Sequence, residues 1–144
     1  MIKAEDLRIG DLVIVSKTGC KIPKGTVCRV TAIETESMLF DDRFVSVRLI
    51  PIDPKCKQIS WYDWCKNISP IPLTPEILEK NGWERDKLVS YIYGHKAHFI
   101  EVICTPNSEW VYVTFKGETI HRIKYVHELQ HILWALGLDA NLKI

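Results

Sequence analysis

Thr26-Val27-Cys28-Arg29-Val30-Thr31-Ala32-Ile33 decides how the first half of this chain is read. Val27, Arg29, Thr31 and Ile33 alternate with Cys28, Val30 and Ala32, and β-branched residues are enriched, so the stretch predicts a strand. A strand needs neighbours to pair with, and the flanking sequence offers them. Upstream, the turn Ile9-Gly10-Asp11 feeds the apolar run Leu12 to Val15. Lys17 to Gly25 then carries two glycines and a proline and reads as a long loop. Downstream, Phe44, Ser46, Arg48 and Ile50 alternate with Val45, Val47 and Leu49, until Pro51 and Pro54 stop the pattern. Lys57 to Ile68 supplies one or two further short strands around Trp61-Tyr62-Asp63-Trp64. Short strands after a long first loop predict an SH3-like small β-barrel over residues 1–68, with a meander continuous with the second half as the alternative.

The second half changes character. Ser69-Pro70-Ile71-Pro72-Leu73 is held extended by its prolines. Thr74 can cap a helix, Pro75 suits its first position, Ile77 and Leu78 face the core, and Asn81-Gly82 ends it. Leu88 to Tyr93, Ala97 to Thr105 and Glu109 to Lys116 read as three strands, joined by turns at Tyr93-Gly94-His95-Lys96 and Pro106-Asn107-Ser108. A last helix is expected from about Ile120 to Leu136, stopped by Gly137. The fold class expected is therefore α+β: an SH3-like barrel over 1–68, then a helix, a three-stranded antiparallel meander and a C-terminal helix over 69–144.

Composition narrows the function. With 144 residues and 47% hydrophobic content, the chain can build a core without disulfides or metal. A formal net charge of +1 lacks the basic bias that usually marks phosphate-backbone binding, so nucleic acid is a disfavoured partner. No apolar run approaches the roughly 20 residues of a membrane-spanning helix. The opening Met1-Ile2-Lys3-Ala4-Glu5-Asp6 has no apolar signal segment. The five cysteines include no C-x-x-C pair, which predicts reduced thiols and a cytoplasmic location.

His127-Glu128-Leu129-Gln130-His131 is the one run that spells a catalytic signature, the H-E-x-x-H of zinc hydrolases. On a helix the two imidazoles share a face as metal ligands, and Glu128 would activate a metal-bound water as general base. The longer pattern fails, because Trp134 stands where a glycine belongs and Gly137 where a third histidine belongs. His95, His98 and His121 are upstream candidates for a third ligand, and no spacing selects one. The apolar stripe Val126, Leu129, Leu133 and Leu136 lies on nearly the opposite side from His127 and His131. The preferred expectation is a solvated histidine pair with no metal and no cofactor; the alternative is zinc on His127 and His131.

Trp61, Tyr62 and Trp64 form the densest aromatic cluster and are the candidate binding residues. Such side chains line grooves for proline-rich peptides, stack on unpaired bases, or simply pack a domain against its neighbour.

Three stretches carry a resemblance: Leu7-Arg8-Ile9-Gly10-Asp11-Leu12-Val13, Ile68-Ser69-Pro70-Ile71-Pro72-Leu73-Thr74-Pro75 and Ile123-Lys124-Tyr125-Val126-His127-Glu128-Leu129-Gln130. They are similar to a family of small uncharacterised proteins from phages and mobile elements of Bacteroidetes-type gut bacteria. The resemblance implies that Glu128 and His131 stand where other members carry Gln and Asn, which cannot perform zinc hydrolysis. It brings no activity and no functional residues. The expected function is a non-enzymatic accessory protein that binds a protein partner through Trp61, Tyr62 and Trp64. A small zinc-dependent hydrolase and a nucleic-acid-binding accessory factor are the alternatives.

Overall fold

The computed structural model describes residues 2–17, 22–36, 44–56, 60–95, 99–106 and 108–144. The chain divides into two compact units, Met1–Ile71 and Pro72–Ile144.

The first unit is one antiparallel sheet. Its strands are β1 (Leu12–Val15), β2 (Val27–Glu36), β3 (Phe44–Pro51), β4 (Trp61–Trp64) and β5 (Ile68–Pro70), in the order β4-β3-β2-β1-β5. The expected SH3-like barrel is not what forms. β4 and β5 are opposite borders of the sheet, and among the described residues no pairing joins them, so the sheet stays open. Strand count could be read from alternation; closure depends on which borders meet, and alternation carries no trace of that.

One face of this sheet forms the core, with Val13, Val15, Cys28, Val30, Val47 and Leu49 all essentially inaccessible. Val30 pairs with Leu49 and Ile33 with Val47, and the register shifts between Val30 and Ala32. This irregularity lets Ile33 share a face with buried Val47 and pack against the core. Strict alternation had put Ile33 on the face opposite Val30, and the bulge reverses that. The turn at Gly10 is pinned by reciprocal bonds, Gly10 N to Val30 O at 2.8 Å and Val30 N to Asp11 O at 2.9 Å.

The second unit carries α1 (Pro75–Lys80), then β6 (Trp83–Arg85), β7 (Ile92–His95), β8 (Ile100–Ile103), β9 (Val111–Phe115) and β10 (Glu118–Ile123), and finally α2 (Val126–Ala135). The five strands form one antiparallel sheet in the order β10-β9-β8-β7-β6. Among the described residues the chain is thus mostly β, two five-stranded antiparallel sheets with two short α-helices, rather than an α+β barrel with a three-stranded meander.

Two strands separate this sheet from the expected meander. β6 is only three residues long, too short to show a period. β10 is exposed at every position but the last, and its register shifts between Thr119 and His121, so it shows no apolar alternation. That exposure made Ile120 to Ile123 read as helix, whereas the helix begins at Val126.

Register partners share a face of a sheet. Tyr93, Val102 and Val113 pair in sequence across β7, β8 and β9, and all three are buried. Trp83 and His95 pair on that same inner side, and Leu133 of α2 lines a cavity with both, so α2 lies over it. The opposite, outward row runs Ile92, Ile103, Tyr112, Arg122.

Candidate functional site

α2 starts where the chain turns from extended to helical at Tyr125, whose φ of −126° and ψ of 156° are those of a strand. Leu73 N donates to Lys124 O at 3.0 Å, and Pro72 forms a bridge with Tyr125, so the entry to the helix is held as a short ladder. The first N–H groups of a helix have no partner within it. Glu128, at the third helical position, reaches back: its Oε2 accepts from Tyr125 N at 2.8 Å and from Lys124 N at 2.6 Å. This is the carboxylate half of a capping box. Glu128 is therefore a helix-start residue, and the sequence pattern that resembled a general base is satisfied by a cap.

His127 and His131 do share a face, as their spacing of four requires. Their ring centroids are 5.7 Å apart in an edge-on arrangement. The solvated pair expected for them is not found. His127 is only 3% exposed, its Nδ1 is shut off from solvent, and its ring stacks on Tyr125 at 5.9 Å with 13° between planes. His131 is half-buried, and Trp134, one turn on, is 68% exposed. The imidazole face is thus partly inside, because Tyr125 folds over it before the helix begins. Among the described residues no three His, Cys, Asp or Glu side chains are grouped to hold a metal ion. Of the candidate third ligands, His95 lies edge-on against Trp83 at 5.2 Å, His121 is on exposed β10, and His98 lies outside the described residues.

The aromatic cluster of β4 is spread along its strand. Trp61 pairs with Leu49, Tyr62 with Arg48 and Trp64 with Ser46. Trp61 is half-buried and packs against the first unit's core, the structural use of such a residue. The side chains of Tyr62 and Trp64 lie outside the described residues.

The surface that sequence reading passed over is the outward row of the second sheet. Arg122 sits over the ring of Trp110 at 4.9 Å, a cation–π contact. Tyr112 is register partner to both Arg122 and Ile103, and Ile103 to Ile92. Trp110 and Tyr112 remain more than a third exposed. Around them, Lys124 pairs with Glu109 at 3.0 Å, and that hydrogen bond and charge hold the Lys124 ammonium above its ordinary pKa. Basic Lys116, Arg122 and Lys124 stand on this side with Glu84, Glu101 and Glu109, so the surface has no dominant sign.

In the next outward row stands Gly94, where a Cβ would meet nothing within 4 Å. A depression of about 540 Å³ opens there, lined by Gly94, Phe99, Ile100, Glu101 and Lys116, with Phe99 77% exposed. The clue in the sequence was Trp110-Val111-Tyr112-Val113, where apolar residues of both parities run into one strand. Val111 and Val113 serve the core, which leaves Trp110 and Tyr112 without a structural purpose inside.

No described helix is long and apolar enough to cross a membrane. No family model, curated protein or solved structure matches the chain, and the chemistry of these surfaces stands on its own geometry.

Proposed function

We propose that this chain is a non-enzymatic accessory protein of mobile-element origin that binds a protein partner through the outward face of its second sheet. The observation that carries the reading is the exposed cluster of Trp110, Tyr112 and Arg122 on that face. Trp, Tyr and Arg are the residues that dominate binding energy at protein interfaces. The rim of balanced charges is what a protein surface matches; a phosphate backbone would call for a basic excess. The three stretches similar to the phage and mobile-element family support the origin.

Glu128 supports the non-catalytic side of the proposal, since the carboxylate that a zinc hydrolase would need as base is hydrogen-bonded to two backbone N–H groups. The test is affinity capture from a host lysate with the intact chain and with the Tyr112→Ala/Arg122→Ala double variant. The double variant should lose a partner that the intact chain retains. Retention of every captured protein by the folded variant rejects this face as the interface.

A further inference from the structure

After α2 the chain does not leave the second unit. Gly137 adopts φ of 71°, Leu138 N donates to Leu133 O at 2.8 Å, and residues 138–144 fold back along the helix. The backbone of this segment is held by side chains from two other elements. Asn81, at the end of α1, makes a reciprocal pair with Lys143: Lys143 N donates to Asn81 Oδ1 at 2.7 Å, and Asn81 Nδ2 donates to Lys143 O at 2.8 Å. Buried Gln130 donates from Nε2 to Ala140 O at 3.0 Å, and Lys80 Nζ donates to Ile144 O. Asn81 Nδ2 also donates to Ile77 O at 2.7 Å, which fixes the orientation of the amide.

Every one of these bonds from the groove reaches a main-chain atom of the segment. Leu142 is the most buried side chain of the segment, at 7% exposure, with Leu138 half-buried beside the same cavity. The seat is also larger than its occupant. A cavity of about 110 Å³ remains between Leu142, Leu138 and Asn141 on one side and Trp83, His95 and Leu133 on the other. The amide of Asn81 reads both the N–H and the C=O of Lys143, and Leu142 supplies an aliphatic anchor one residue before it; in peptide recognition main-chain bonds give affinity and a pocket gives selectivity.

We propose that the groove between α1 and α2 is a binding site for a peptide segment carrying one aliphatic anchor, and that residues 138–144, turned by bonds from Leu142 N to Ala140 O and from Asn141 N to Asp139 Oδ1, occupy it in cis. The inference goes beyond the sheet-face reading and does not depend on it. A tethered occupant competes at an effective concentration of about millimolar, so an external peptide enters only when it outbids the tether.

The test uses the full chain and a fluorescein-labelled synthetic peptide of sequence Leu-Asp-Ala-Asn-Leu-Lys-Ile, followed by anisotropy. Leu142→Ala, which weakens the tethered anchor, should bind the peptide at least tenfold more tightly than the parent. Adding Asn81→Ala to that variant should remove at least tenfold of the affinity, and a peptide with Asp at the Leu142 position should not bind. Absence of peptide binding to a folded Leu142→Ala chain, or binding indifferent to Asn81→Ala, overturns the proposal. Hydrogen exchange on the parent gives a reading independent of the variants' folding. Excess peptide should speed exchange of the Lys143 amide as the segment is displaced, and an unchanged rate overturns the proposal equally.

Discussion

Glu128 Oε2 lies 2.8 Å from the backbone nitrogen of Tyr125, three residues back, and this one bond separates a helix cap from a catalytic base. Caps of this type are worth about 1 kcal/mol. Glu128→Ala should therefore lower the unfolding free energy by about 1–2 kcal/mol in a urea titration, the upper end reflecting the second bond to Lys124 N. Glu128→Gln should recover part of the loss, since an amide oxygen still accepts. A Glu128→Ala chain as stable as the parent contradicts the assignment.

His127 and His131 should respond unequally to truncation. His127 is buried against Tyr125, and His131 is half-buried. His127→Ala leaves a cavity and should cost about 2–3 kcal/mol, whereas His131→Ala should cost less than about 1 kcal/mol. Equal costs from parallel denaturation curves would mean that both rings are solvated, as the helical-wheel argument had it.

The sequence was legible chiefly where neighbouring residues decide the structure. Local signals were read well. Thr74-Pro75 opens α1, Asn81-Gly82 closes it, and Gly137 follows the last helix. Alternation located β2 and β3. One local signal misled, since Tyr93-Gly94-His95-Lys96 reads as a turn while Ile92–His95 is β7; the other failures are non-local. Closure of the first sheet depends on β4 and β5 meeting, which no local pattern encodes. Burial of His127 comes from Tyr125, which precedes the helix and lies off its wheel. The Trp110–Arg122 contact joins β10 to the residue before β9, two places whose register had first to be known, and β10 looked like helix because solvent surrounds nearly all of it.

The β9–β10 hairpin turns through Lys116 and Gly117, both with positive φ, at 52° and 84°. Two such residues make a type I′ turn, whose twist matches the strands it joins. A β-branched residue at Gly117 should cost about 1–2 kcal/mol, although a Cβ there meets nothing, because the penalty is conformational. Thermal melts of Gly117→Val against Gly117→Asn check it, since Asn tolerates the left-handed region and should lose much less.

Alkaline stability should carry the signature of Cys104, whose thiol burial pushes up to about 11 from an ordinary 9.0. Below pH 9 both folded and unfolded chains hold the proton. Between pH 9 and about 11 the unfolded chain releases it while the folded chain does not, so stability falls as pH rises through that window. Cys104→Ala should flatten this part of the stability–pH profile relative to the parent. Superimposable slopes between pH 9 and 11 would show that the thiol titrates alike in both states.

The outermost strand of the second sheet breaks step between Thr119 and His121, with Ile120 as the extra residue. A visiting strand could match its hydrogen-bond ladder on one side of that break or on the other, never along the whole of it. The interruption works as a zipper stop. It denies a visiting strand a continuous ladder along an exposed, isoleucine-bearing border.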